Sequence, residues 1–276
     1  MFGLFSLAVL AALLSGCLCG AIGFHIQRFG VTTLSFGIAH AALAGAALGV
    51  LWNLDPTYSA MATAVSSALV LGWLFTRVEY GRELICMAVF SASSAIALLA
   101  VYLSTARVLA TTSVAEVLWG SLLAVTAPKV LVLLVVVVLF LIYIAACRMH
   151  IDAILYDRRL AEAEGVDVQM HTLILLFFAG VAIASTLKLT GGFLVFTLIY
   201  NPVASAMQLA RNAKLQLLLS LLLGASSSVL GLALSYLMDL PVGASIALLS
   251  SLILLLSYGV RVVVEGRKLR EASRLV

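Results

Sequence analysis

The sequence predicts an all-α, polytopic bundle of about nine membrane-spanning helices, and three observations carry that reading. Hydrophobic residues make up 64% of the 276-residue chain and charged residues 10%, with a mean hydropathy of +1.20. Soluble domains hold roughly 45–50% apolar and about 25% charged residues, so a soluble enzyme, a disordered chain and a disulfide scaffold are all excluded. The apolar residues run continuously instead of alternating, which argues for helices over a β-barrel. The cations gather in the breaks between runs. The formal charge of +4 therefore lies in short loops and the tail, and is no nucleic-acid footprint.

A spanning helix needs about 20 mostly apolar residues. Nine stretches qualify: 3–23, 34–54, 57–76, 84–103, 129–147, 172–189, 191–210, 214–236 and 241–260. The first is not read as a cleaved signal, because its first cation, Arg28, follows the apolar run instead of preceding it. With the N-terminus outside and the C-terminus cytoplasmic, 13 of the 16 Lys and Arg fall on the cytoplasmic side, and only Arg107, Lys129 and Lys188 fall outside. The positive-inside rule favours that orientation. The half-apolar segment 104–128 is expected to hold a short re-entrant or interfacial helix at 115–126, packed on protein. The whole chain, 1–276, reads as one transmembrane domain with a cytoplasmic loop at 148–171 and a basic cytoplasmic tail at 261–276. Cys17, Cys19, Cys86 and Cys147 all sit in apolar runs and read as small apolar residues, since i and i+2 on a helix face apart.

Ionisable groups inside spans are functional candidates, and here they are few. The deepest is His40, in Ser35-Phe36-Gly37-Ile38-Ala39-His40-Ala41-Ala42-Leu43-Ala44-Gly45. Small neighbours leave room beside an imidazole, and a neutral imidazole suits zinc and similar ions. Two His40 residues of a homodimer would face one central path. Asn201 precedes Pro202 in the seventh span, where proline frees a carbonyl from the helix ladder. Asn201 either satisfies that backbone or lines a pathway. The lack of deep carboxylates argues against a proton-coupled transporter, and no Ser–His arrangement marks an intramembrane protease.

The longest cytoplasmic loop contains Asp157-Arg158-Arg159-Leu160-Ala161-Glu162-Ala163-Glu164-Gly165. Asp157 is an N-cap, Ala161 and Glu162 favour helix, and Gly165 is a stop. This is a short charged helix, either merely exposed or a docking element for another protein. No G-x-x-x-x-G-K-[ST] occurs, so any ATPase is a separate chain.

Several stretches together resemble the permease subunits of ABC importers for zinc, manganese or iron. The block Ala39-His40-Ala41-Ala42-Leu43-Ala44-Gly45 is similar to the family's second-span signature. Asp157, Ala161 and Gly165 keep the register of its coupling-loop pattern, with Arg158 and Arg159 in place of Pro-Glu. Gly191-Gly192-Phe193-Leu194-Val195 and Pro202-Val203-Ala204-Ser205-Ala206 resemble a third pattern, and Trp119-Gly120-Ser121-Leu122-Leu123 a fourth. The resemblance implies a non-enzymatic transport subunit of the inner (cytoplasmic) membrane. It would work as a homodimer with cytoplasmic ABC ATPases docked on Asp157, Ala161, Glu162 and Gly165. An extracytoplasmic binding protein would deliver a divalent metal, zinc first and manganese or iron next, past His40 and Asn201, with no cofactor resident in the chain. Family members often carry Asp four residues before the histidine, and Phe36 stands there. The rival readings are an ABC permease for a chelated metal and a secondary transporter, which would have no use for the 157–165 helix.

Overall fold

A computed structural model describes residues 2–78, 81–108, 111–121, 125–192 and 195–272. Among the described residues all regular structure is helical. The order is α1 (Phe2–Arg28), α2 (Thr32–Leu51), α3 (Pro56–Arg77) and α4 (Arg82–Leu103, running into a π-helical turn at Ser104–Val108). Then come α5 (Thr111–Trp119), α6 (Ala127–Ala146), α7 (Arg148–Tyr156), α8 (Arg158–Ala163), α9 (Val168–Thr190), α10 (Val195–Leu209), α11 (Ala213–Met238) and α12 (Val242–Ala272). Eight are long and apolar enough to cross a membrane: α1, α2, α3, α4, α6, α9, α11 and α12.

The expected span 191–210 appears as α10, which is only 15 residues long. Residues 193 and 194 of that expectation lie outside the described residues. The helix expected at 115–126 is α5, which starts earlier and stops at Trp119. Gly120 explains the stop: its φ of +74° leaves the right-handed region. Its backbone presses against the α9 terminus, where Gly191 also has positive φ. A methyl group at Gly120 would run into the Leu189 carbonyl, and one at Gly191 into the Leu118 carbonyl. The Gly192 amide donates to the Val117 carbonyl at 2.8 Å and stitches the two ends together. Residues 122–124 lie outside the described residues.

Side-chain and loop chemistry sets the other boundaries. Asp55 caps α3 by accepting from the Thr57 amide at 2.7 Å, with Pro56 at the first helical position. Asp167 caps α9 through the Met170 amide at 2.9 Å, and Asn212 caps α11 through the Lys214 amide at 2.9 Å.

In hydrocarbon there is no hydrophobic drive between helices, so small residues that allow close backbone approach decide the packing. α2 is the buried axis, contacted by α1, α3, α4, α9 and α10. Its Gly45 and Gly49 admit Thr63 and Ser59 of α3. α1 and α11 meet the same way: a methyl group at Gly16 would collide with the Gly224 carbonyl, and one at Gly20 with the Ser220 carbonyl. The outer helices bury only a stripe. On α6 it is Val130, Leu133, Val136 and Phe140, while Leu131, Val132, Val135 and Leu139 face outward. That is how a helix looks when lipid covers the rest.

The bundle has one basic end. Arg28 donates to Gln216 at 2.5 Å, tying α1 to α11. Gln216 in turn donates to the Ala210 carbonyl at 2.8 Å. Arg148 and Lys214 border one cleft there, and Arg158 lies 5.8 Å over the Phe75 ring of α3. The α5, α9 and α12 junction at Gly120, Gly191 and Gly243 is formed almost wholly by backbone.

The close approach generates a stability prediction. Gly16→Val is expected to destabilise the purified protein by about 1–3 kcal/mol, as overpacked cores do. Gly259→Val, where nothing lies within 4 Å, serves as control. Thermal unfolding in detergent reads the difference; equal midpoints would refute the α1–α11 contact.

Candidate functional site

His40 sits at the middle of α2, 3% exposed. The small residues around it in sequence are buried too, so the imidazole lies among helices and not against lipid. Its Nδ1 is 2.9 Å from Ser94 Oγ of α4. Ser94 has one hydroxyl proton, and it points to the Phe90 carbonyl at 2.7 Å. We therefore assign the His40 hydrogen to Nδ1, donated to Ser94, which leaves the lone pair on Nε2. A ligating imidazole is commonly held this way, one nitrogen anchored and the other presented.

Aromatic rings surround the imidazole. Phe90 of α4 meets it edge-on with centroids 4.2 Å apart, and Phe196 of α10 lies at 6.0 Å. Phe36, one turn before His40, packs edge-on against Phe196 at 5.3 Å and near Tyr200 at 6.1 Å. Phe36, Met87, Phe90 and Phe196 line an adjoining hollow of about 280 Å³. Aromatic faces and a thioether attract cations weakly and through polarisation, without binding them as a carboxylate would. Among the described residues no group of three or more His, Cys, Asp and Glu is placed to hold a metal ion.

Asn201 belongs to a different constellation. It is buried, and its amide donates to Ser250 Oγ at 3.0 Å and Ser251 Oγ at 3.1 Å, both on α12. Both amide hydrogens are thus committed to an interhelical clamp. Its backbone carbonyl accepts from Ser205 Oγ at 2.8 Å, one turn further along α10. α10 links Asn201 and His40: its Phe196 touches the imidazole, and its Asn201 ties the helix to α12.

At the basic end, α8 has a defined beginning and a defined end. Asp157 accepts from the Arg159 amide at 2.8 Å and the Leu160 amide at 3.1 Å. At the other end Gly165 takes φ +86°, its amide donates to Glu162, and the Val166 amide donates to Ala161 at 3.0 Å. That pair of bonds is a Schellman stop. Ala161 is buried, whereas Glu162 and Gly165 are exposed. An i,i+4 ion pair joins Arg158 to Glu162 at 3.3 Å. The sequence pattern did not single out Leu160 and Tyr156, which project beside these charges at 49% and 85% exposure. Two large exposed side chains thus flank the charged helix. Ser94, Met87, Phe90 and Phe196 were likewise missed, for they reach His40 only through folding.

A family profile described as the ABC 3 transport family matches residues 1–261. The manganese import system permease protein ScaB of Streptococcus gordonii is 27% identical over 91% of this chain and 89% of its own length. The manganese transport system membrane protein MntC of Listeria innocua is 24% identical over 93% and 90%. Among solved structures, PsaBC from Streptococcus pneumoniae in complex with Fab aligns with a TM-score of 0.79 at 24% identity, covering 92% of this chain and 91% of that one. The apolar helices, the buried histidine in its small-residue block, the capped helix and a match over nearly the full length converge: the chain belongs to the ABC 3 transport family.

Proposed function

We propose that this chain is the permease subunit of an ATP-driven importer that carries a divalent transition-metal ion across the inner membrane into the cytoplasm. The observation that carries the reading is His40, buried in the middle of α2 with Nδ1 anchored on Ser94 and aromatic rings beside it. Two copies would bring two such imidazoles to one pathway. ATPase subunits would dock on α8, with Asp157 and Gly165 fixing its ends, Ala161 seating it on the bundle, and Glu162, Leu160 and Tyr156 meeting the partner. The basic end would be cytoplasmic, in line with the positive-inside rule. A binding protein would deliver the ion at the opposite end.

Two considerations bear on the metal. The named relatives are manganese permeases. Yet Phe36 replaces a hard carboxylate next to His40, and imidazole with thioether and aromatic neighbours suits zinc better than manganese. On ligand chemistry we place zinc ahead of manganese. The same lining favours one second reading, a metal carried within an organic chelate, whose apolar parts would contact Phe36, Phe90 and Phe196.

In proteoliposomes holding the permease, its ATPase and its binding protein, zinc uptake is expected to exceed manganese uptake. His40→Ala should reduce it at least tenfold with assembly intact. Uptake untouched by His40→Ala would remove the imidazole from the path. Asn201→Leu should lower the melting temperature through loss of two interhelical bonds, about 0.6–1.7 kcal/mol each, and leave the metal preference unchanged. A changed preference would instead put Asn201 on the pathway. Asp157→Ala removes an N-cap that contributes about 0.5–2 kcal/mol. ATPase co-purification and uptake are expected to fall together. Full ATPase association in that variant, and in Leu160→Glu, would mean that α8 is not the docking element.

A further inference from the structure

A second histidine site lies at the basic end, away from His40. His171, in the first turn of α9, is buried, and His150 on α7 is exposed. His171 Nε2 faces His150 Nδ1 at 3.3 Å. The other nitrogen, His171 Nδ1, is 2.9 Å from the Tyr143 hydroxyl of α6. That hydroxyl also lies 3.4 Å from the His171 carbonyl. Without a cation the two imidazoles share a hydrogen between Nε2 and Nδ1; with a cation on Nε2, His171 keeps its hydrogen on Nδ1 and donates it to Tyr143 Oη. The rings meet edge to face with centroids 5.3 Å apart.

We propose that His150 and His171 form a binding site for one divalent transition-metal ion of the zinc class, on the face where α7 meets α9. With metal–nitrogen bonds of 2.0–2.1 Å, two imidazoles on a tetrahedral ion stand about 3.3 Å apart. The observed nitrogen separation already has that bite, and rotation of the exposed His150 ring would turn its lone pair toward a shared ion. His150 Nδ1 supplies its lone pair in the tautomer whose Nε2–H faces solvent. Tyr143 fixes the tautomer of His171, as an outer-shell partner does. Water completes the coordination. Asp167 brings a carboxylate to the same end of α9, where it caps the Met170 amide and offsets the positive end of the helix.

The site has a place in the machinery. α8 lies between α7 and α9 in the chain and contacts both. An ion bridging His150 to His171 cross-links the two helices that flank the coupling element and restricts its motion. Metal accumulating on this side would then slow the transporter that supplies it. The binding claim itself does not rest on the proposed cargo.

The test is arranged so that the two readings fail separately. Purified chain carrying His40→Ala, which removes the pathway imidazole, is dialysed against zinc chloride in detergent and the bound metal is counted. Adding His150→Ala, at an exposed position, is expected to remove one zinc per chain with unchanged circular dichroism and melting. Tyr143→Phe is expected to weaken that zinc about 10–100-fold, the usual effect of losing an outer-shell partner. Zinc should also slow hydrogen exchange across residues 158–166 in the His40→Ala chain and not in the chain lacking His150. Equal zinc content with and without His150 would overturn the proposal, whatever the outcome of the transport assays.

Discussion

The bundle depends on how closely two helix backbones can approach each other. Lipid tails are as apolar as leucine, so burying a leucine between helices gains little, and contact density has to come from small residues. α1 meets α11 through Gly16, Gly20, Gly224 and Ser220, and α2 meets α3 through Gly45 and Gly49. These contacts sink α2 to the centre of the molecule. His40 lies deep because its helix does, and its imidazole finds Ser94 because α4 packs directly on α2.

The same economy explains the chemistry of the interior. Charges are excluded from the packed region, and many of the polar groups that remain bond within their own helix. Serine and threonine hydroxyls return their protons to carbonyls one turn back, as Ser15, Thr172 and Thr186 do. Asn201 is spent on two serines of α12. The imidazole of His40 is different, because its Nδ1 is held by a serine of another helix and aromatic rings surround it. On the proposed pathway an ion would coordinate there only briefly, as transport requires. At the basic end the logic reverses. There the polar chemistry is exposed, helix ends are capped, and a six-residue helix keeps its shape through Asp157 and Gly165 with little help from packing.

Much of this was legible in the sequence, since hydrophobic run length reports lipid contact residue by residue. Eight expected spans correspond to long apolar helices, and both ends of α8 were readable from Asp157 and Gly165 because caps are local chemistry. Depth was legible for His40 from its Ala and Gly neighbours. The partners were not. His40 and Ser94 are 54 residues apart, and nothing in either span's periodicity states which faces meet. The rings of Phe90 and Phe196 read as ordinary lipid-facing or core residues for the same reason. The extent of α5 was also hidden. Gly120 and Gly191 stop their helices by pressing on each other's termini, a contact between distant segments that composition does not record. Asn201 showed its polarity but not its direction.

The shortness of α10 has an electrostatic consequence. Fifteen residues at 1.5 Å each span about 22 Å, less than the roughly 30 Å of a bilayer's hydrocarbon. Phe196, which touches His40, sits in the first turn of that helix. On the proposed pathway the α10 wall beside the imidazole would therefore be shorter than the hydrocarbon around it, and the other helices packed on α2 would supply the rest of the insulation between the cargo and lipid.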